Sequence, residues 1–138
     1  MRSRVGWATV IAVALATSGF AGEARARKPR LKLRASYGAV LAPAPIMAVA
    51  ELVGGEDLEE FYCVGLRWDW GDGTRSYRES DCDPFESGME VDRFFSARHR
   101  YVQSGTYDVR VTLIRADREV AAARTFVRIL GRVASRSW

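Results

Sequence analysis

The sequence contains little of what enzymes commonly use for catalysis. Its 138 residues include one histidine and two cysteines. They lack the G-x-S-x-G, H-E-x-x-H and phosphate-binding glycine motifs of common hydrolases and nucleotide-binding proteins. Long amphipathic helices, internal repeats and low-complexity tracts are also absent from the pattern. A composition of 48% hydrophobic and 28% charged residues is ordinary for a globular protein, so we predict one folded domain. Because the catalytic motifs are missing from the sequence, we predict that this domain is not an enzyme.

The N-terminal 26 residues have the pattern of a secretory signal peptide. Two arginines precede the apolar run at 7–21, and Ala-Arg-Ala at 24–26 supplies a cleavage site. The run is shorter than the ~18 residues of a typical membrane span, which disfavours the alternative of an uncleaved anchor. A cut at the end of the run is another alternative. We predict a secreted or periplasmic protein without a membrane span after cleavage, with a leader at 27–30 and a tail at 131–138.

The only two cysteines, Cys63 and Cys82, are predicted to form one disulfide bond. An oxidising compartment favours the bridge over two buried free thiols. On the chain-entropy account such a loop contributes roughly 3 kcal/mol, a large share of a small domain's stability.

Charge is distributed unevenly along the chain. Residues 27–34 carry five basic groups and no acid, residues 51–92 have a net charge of −10, and residues 93–138 have a net charge of +7. We expect acidic and basic strands to face one another within the fold. Nucleic-acid binding would need the basic groups on one exposed face, and export together with the acidic segment argues against it.

Alternating apolar and polar residues, separated by turn signals, predict about seven strands in residues 31–130. In the clearest segment, 60–70, Trp68 and Trp70 fall on the inward face, and Cys63 falls on the outward face. A helix is the alternative for 46–53 because alanine, leucine and glutamate favour helix. Together the pattern predicts an all-β, immunoglobulin-like antiparallel β-sandwich. The predicted strands are 31–37, 46–53, 60–70, 74–79, 91–102, 106–114 and 119–130.

Two motifs in this order resemble the PKD (polycystic kidney disease) domain family. One is an aromatic strand ending in G-D-G, and the other is an H-x-Y-x-x-x-G-x-Y-x-V stretch. The resemblance covers residues 31–130 and implies an immunoglobulin-like extracellular or periplasmic module that contacts proteins or polysaccharides rather than catalysing a reaction. The long acidic loop after Glu79 departs from the family pattern. The matching residues are Trp68, Asp69, Trp70, Gly71, Asp72, Gly73, His99, Tyr101, Gly105, Tyr107 and Val109.

The residues of the first motif are better explained by folding than by chemistry. The glycines allow the chain to reverse, and Asp72 can accept N–H bonds of the turn. Asp69 is predicted to be solvated on the outward face, and His99 to bond neighbouring backbone. Either tyrosine of the second motif could form a tyrosine-corner bond. We predict no cofactor; peripheral calcium on the acidic groups is the alternative, although Pro84 stands where an EF-hand needs glycine.

The loop at 79–92 is the candidate interaction site, because the disulfide would tie it to the outside of the sheet. We predict a non-catalytic domain that contacts an extracellular protein or cell surface through this loop. Polysaccharide binding through exposed Phe61, Tyr77, Phe85 and Phe94 is the alternative, and a small extracytoplasmic hydrolase is the distant one. The candidate loop residues are Glu79, Asp81, Asp83, Phe85, Glu86, Glu90 and Asp92.

Overall fold

β-strands are the main secondary structure of the described chain, with one short 3₁₀ turn beside them. The computed structural model describes residues 27–36 and 38–132. The predicted signal peptide and residues 133–138 of the predicted tail lie outside these described residues. The strands are β1 (Arg30–Ala35), β2 (Ala39–Leu41), β3 (Ala44–Val53), β4 (Gly65–Asp69), β5 (Arg75–Arg78), β6 (Phe94–Tyr101), β7 (Gly105–Arg115) and β8 (Arg118–Leu130).

These eight strands form two sheets that enclose a shared core. The three-stranded sheet has the order β1-β3-β6, and the five-stranded sheet has the order β2-β8-β7-β4-β5. All pairs are antiparallel except β2 with β8. The predicted antiparallel β-sandwich is therefore confirmed. The additional strand is β2, whose three residues pair with the end of β8 and carry too short a pattern to be recognised in the sequence.

The core follows the predicted alternation of apolar residues. On β4 the side chains of Leu66 and Trp68 are buried, and Trp70 directly after the strand has no exposed surface. On β7 the inward residues Val109 and Val111 are likewise fully buried. Because side chains of successive strand residues point to opposite sides, one face of each strand is more buried than the other, although Thr112 on the other face of β7 is also buried.

β3 is a strand, so the helical alternative for residues 46–53 is wrong. Its inward residues are small or aliphatic and its ten residues alternate strictly between buried and less buried. A strand that pairs on both sides, with β1 and with β6, takes its conformation from the sheet rather than from intrinsic helix preference. The buried residues of β3 are Ala44, Ile46, Ala48, Ala50 and Leu52.

The strand predicted at 60–70 is shorter than expected. Residues Glu59–Phe61 form a 3₁₀ turn, closed by the bond from Phe61 N–H to Leu58 O at 2.9 Å. The side chain of Arg115 donates to Glu59 O, and Cys63 has a positive φ of 55°. The chain therefore turns before β4 begins. Cys63 lies in this turn and not on the outward face of the strand.

The β7–β8 hairpin confirms the break predicted between the strands at 106–114 and 119–130. Arg115 pairs with Arg118, which leaves Ala116 and Asp117 as a two-residue loop. Their φ angles are 48° and 60°, the left-handed pair that matches the twist of a tight hairpin.

No helix among the described residues is long and apolar enough to cross a membrane.

Candidate interaction site

The acidic loop, residues 79–92, connects the two sheets at one end of the sandwich. It follows β5 in the five-stranded sheet and leads into β6 in the three-stranded sheet. The β4–β5 register places Leu66 opposite Arg78 at this end, and Asp69 opposite Arg75 beside the glycine turn. The loop therefore lies at the far end of the hairpin from that turn, not on the outside of the sheet as predicted.

Four contacts hold the first half of the acidic loop. The disulfide between Cys63 and Cys82 is present and joins the loop to the turn before β4. Ser80 Oγ donates to Val64 O at 2.8 Å. Tyr62 contributes twice: its hydroxyl donates to Asp83 O at 2.9 Å, and its ring packs edge-on against Phe85 at 5.2 Å between centroids. The loop backbone is thus fixed where its acidic residues are densest.

The carboxylates of the acidic loop point into solvent. The loop has six acids and no basic residue, all six acids are exposed, and none forms an ion pair with a described residue. Among the described residues, the pair Arg118–Glu60 at 3.5 Å joins the acidic segment 51–92 to the basic segment 93–138, but it lies outside the loop. The expectation that acidic and basic strands neutralise one another is therefore wrong for this loop. The six acids are Glu79, Asp81, Asp83, Glu86, Glu90 and Asp92.

The G-D-G segment forms a turn whose polar groups are used internally. Asp72 Oδ1 accepts the N–H of Thr74 at 3.0 Å, as predicted. Asp69 Oδ1 accepts the N–H of Gly71 at 3.1 Å, and Asp69 Oδ2 accepts from Arg75 Nε at 3.0 Å. Asp69 lies on the outward face with its side chain 37% exposed, as predicted, and it also bonds its own turn. The Gly71 N–H and the Arg75 guanidinium both lower the pKa of Asp69.

Gly71 is required by a close backbone contact. Its φ is 77°, and a Cβ atom built on it would lie 2.7 Å from the Asp108 carbonyl oxygen on β7. Gly73 has a similar φ of 87° but open space around it. The first glycine therefore meets both a steric and a conformational need, and the second meets only a conformational one.

His99 joins the G-D-G turn to β6. Its Nε2 lies 2.7 Å from Asp72 Oδ2, and its ring stacks on Trp70 with a centroid distance of 4.7 Å and an interplanar angle of 10°. The prediction of a backbone partner for His99 is wrong, since the partner is a side-chain carboxylate. Burial opposes ionisation of Asp72, but hydrogen bonds from Thr74 and His99 outweigh it and lower the pKa of Asp72. The pair is a structural link between the two sheets.

Both tyrosines of the second motif bond to main-chain carbonyls. Tyr107 donates to Gln103 O at 2.8 Å, four residues earlier, which is the tyrosine-corner geometry. Tyr101 is 1% exposed and donates to Trp70 O at 2.7 Å. Burial raises the pKa of Tyr101, with smaller contributions from the Asp72 charge. Each tyrosine hydroxyl therefore stabilises the fold through a hydrogen bond to the main chain.

The aromatic residues considered for polysaccharide binding do not form one surface. Phe61 is 3% exposed and belongs to the core, because the 3₁₀ turn rotates it inward. Phe85 is half-buried against Tyr62. Tyr77 and Phe94 are 65% and 64% exposed, but they lie on the outward faces of different sheets. The requirement for coplanar exposed rings is not met.

The described residues contain no group of three or more His, Cys, Asp or Glu side chains arranged to hold a metal ion. Asp69 and Asp72, which the calcium alternative would use, are bonded by N–H groups of their own turn. The prediction that the protein uses no cofactor stays a prediction.

A second charged surface was not recognised in the sequence. On the three-stranded sheet, the outward residues of β1 and the last two outward residues of β6 are basic and exposed. The signal was the alternation of basic residues at 30, 32 and 34 and at 98 and 100, which was interpreted only as strand pattern. We name this surface the basic face; its residues are Arg30, Lys32, Arg34, Arg98 and Arg100.

This architecture defines an immunoglobulin-like β-sandwich with a disulfide-held acidic loop, and comparison with solved structures narrows the fold to that of PKD domains. The PKD domain of an M14-like peptidase from Thermoplasmatales archaeon SCGC AB-540-F20 superposes with a TM-score of 0.50 at 17% identity, over 75% of this chain and 97% of that domain. A putative membrane anchored protein from Corynebacterium diphtheriae superposes with a TM-score of 0.51 at 15% identity, over 78% of this chain.

The similarity concerns the fold alone, because the sequence identities are low. The chain matches only 22% of the Corynebacterium diphtheriae protein. Neither models of known protein families nor curated proteins match the sequence. The resemblance to PKD domains that the two motifs predicted is therefore confirmed as a resemblance of fold.

Proposed function

We propose that this chain is an exported, non-catalytic binding domain that recognises a basic surface of an extracytoplasmic protein through the acidic loop. The observation that carries the proposal is that six exposed carboxylates, free of ion pairs with described residues, lie on a loop with a fixed first half. A fixed loop loses little conformational entropy on binding, so more of the interaction energy contributes to affinity.

The negative charge of the acidic loop determines which kind of partner surface it can bind. The loop places six like charges within fourteen residues, and such a field attracts arginine or lysine side chains on the partner and speeds association. The charges are exposed and therefore screened by salt, over about 8 Å at physiological ionic strength. Binding should accordingly weaken as salt rises.

Export is supported by the cysteine chemistry. Cys63 and Cys82 are joined in one bridge and no other cysteine is present in the sequence. Disulfides persist in secreted and periplasmic compartments and are rare in reducing ones. Together with the signal pattern, this supports a secreted or periplasmic location.

A non-catalytic role is supported by how the candidate chemical groups are used. His99 is bonded to Asp72 and packed between Trp70 and Tyr101. A general base must reach a substrate proton at hydrogen-bond distance, and this imidazole is occupied by the link between the sheets.

The test is cross-linking capture of partners from the native envelope or medium, at low and high salt. The bait is the chain without its predicted signal peptide, beside the variant Asp81→Asn/Asp83→Asn. The matched control is Glu56→Gln/Asp57→Asn, which removes two exposed acids outside the loop. We expect a partner with a basic surface to be lost from the loop variant and at high salt, but kept by the control. Equal capture by both variants would refute the proposal.

A further inference from the structure

The basic face carries two rows of cations that are offset from each other along the sheet. The β1 cations Arg30, Lys32 and Arg34 lie opposite Val53, Glu51 and Val49 of β3, whereas Arg98 and Arg100 of β6 lie opposite Met47 and Pro45. The two outer strands are therefore separated by one strand, about 9.5 Å across the sheet. Within each row the basic residues are two positions apart, or roughly 6.7 Å along the strand.

Most of these cations have no acidic partner on the described surface. Arg34 pairs with Glu51 at 3.1 Å. None of Arg30, Lys32, Arg98 and Arg100 forms an ion pair with a described residue. Glu51 is the only acid that faces outward on these three strands, so the face carries a net charge of +4.

The middle of the basic face is apolar. β3 presents Pro45, Met47 and Val49 outward, and the last two are half-buried. Pro45 and Met47 have a cation beside them only on β6, and Val49 has one only on β1. This strip offers contact area for uncharged atoms of a bound chain, while the cations placed diagonally across it, on β6 at one end and on β1 at the other, can reach acidic groups. The face therefore fits a segment that combines acidic and small side chains.

The acidic loop has this composition and a matching spacing. Its acids at positions 79, 81 and 83 alternate with Ser80 and Cys82, just as the cations at 30, 32 and 34 alternate along β1. The loop of the same molecule is held at the end of the sandwich by its disulfide and by Tyr62, and among the described residues it makes no ion pair with the face. The basic face of one molecule can therefore bind the acidic loop of another molecule.

We propose that the basic face docks the acidic loop of a second copy of this chain. This inference rests on the proposed function, since it names the basic surface that the loop recognises. The contact is polar and small, so association is weak, reversible and sensitive to salt. Because loop and face are different surfaces, two copies can either exchange loops reciprocally or continue as a chain of molecules.

The first experiment follows self-association by sedimentation velocity from roughly 10 µM to 1 mM, the affinity range of small polar interfaces. We expect the average mass to rise with concentration at 50 mM salt. The dissociation constant should increase at least about tenfold at 500 mM salt because the charges are exposed. A monomer throughout this range at low salt would overturn the inference.

The second experiment exchanges the charges. The face variant Lys32→Glu/Arg98→Glu and the loop variant Asp81→Lys/Asp83→Lys should each associate much more weakly, because the first reduces the net charge of the face from +4 to zero and the second reduces that of the loop from −6 to −2. An equimolar mixture should associate again, since the unchanged loop of the face variant meets the unchanged face of the loop variant. Failure of the mixture to associate, when both variants keep the unfolding midpoint of the natural chain, would overturn the inference.

Arg128→Glu/Arg132→Glu is the matched control, because it reverses two exposed arginines outside the face. It should self-associate like the natural chain, and its dissociation would mean that net charge alone drives assembly. The two proposals can fail separately. A monomeric chain that still loses a captured partner on neutralisation of Asp81 and Asp83 refutes only self-docking. Self-association that persists with the loop variant also refutes only self-docking, whereas equal capture by the loop variant and its control refutes the proposed function.

Discussion

The link between the sheets through His99 can be measured as a free energy of unfolding. Substitution His99→Ala removes the 2.7 Å bond to Asp72 and the ring contacts with Trp70 and Tyr101, each at 4.7 Å. Aromatic pairs contribute about 0.5–1.5 kcal/mol each. A hydrogen bond to a charged group contributes about 1.5–3 kcal/mol, which we reduce to about 1 kcal/mol because both side chains keep some solvent contact.

The sum predicts that His99→Ala lowers the free energy of unfolding by about 2–4 kcal/mol. His99→Phe is the informative control, because it keeps a flat ring between Trp70 and Tyr101 and removes only the bond to Asp72. We expect this variant to lose about 1 kcal/mol. The difference between the two variants therefore isolates the contribution of ring packing.

The measurement is urea denaturation followed by tryptophan emission, since Trp68 and Trp70 are 2% and 0% exposed in the folded state. Both variants should unfold in one transition with the slope of the natural chain. Equal losses for alanine and phenylalanine would refute the packing argument. A loss below about 0.5 kcal/mol for alanine, the range of ordinary surface substitutions, would refute the link itself.

Three further predictions concern the bridge, the glycine turn and acid stability. Cys63→Ala/Cys82→Ala should lower the free energy of unfolding by roughly 3 kcal/mol in urea denaturation, because the unfolded chain is no longer closed into a loop. Gly71→Ala should lower the thermal midpoint well beyond Gly73→Ala, because only the first places a Cβ 2.7 Å from a β7 carbonyl. The fold lowers the pKa of Asp69 below its ordinary value of 3.8, so the stability that this carboxylate contributes is full above pH 3.8 and is lost as the pH falls further. When the free energy of unfolding is measured at decreasing pH, the Asp69→Asn variant should lose less stability below pH 3.8 than the natural chain.

Each of these three has a contrary outcome. An unchanged midpoint without the cysteines would mean that the bridge constrains neither state. Equal effects at Gly71 and Gly73 would show that β7 moves aside at no cost. If the stability of the natural chain and of the Asp69→Asn variant fell in parallel with decreasing pH, Asp69 would not contribute to the loss of stability in acid.

The strands could be predicted because one face of each is buried. The alternation of apolar and polar residues around Trp68 and along β7 indicates which side chains pack into the core. This pattern can be recognised in each strand without knowing its partner strands. The G-D-G and H-x-Y motifs then indicated the type of sandwich. What they could not supply was the contact between Asp72 and His99, which joins residues 27 positions apart in the sequence.

The turn before β4 shows why alternation alone was insufficient. Continuing the strand pattern back through Cys63 placed Phe61 outward, whereas the 3₁₀ turn buries it. A shift of one residue reverses the face of every preceding side chain. That shift depends on the Arg115 side chain reaching Glu59 O from β7, a tertiary contact with no local signal. The basic face was overlooked for a similar reason, since its two rows come together only through pairing with β3.

The position of the bridge has a mechanical consequence. Cys63 and Cys82 are 19 positions apart and enclose β4, the glycine turn and β5. A pulling force applied at the chain ends would pass through the sulfur atoms and bypass this hairpin. About 65 Å of contour length would thereby be withheld from extension, and reduction would release it.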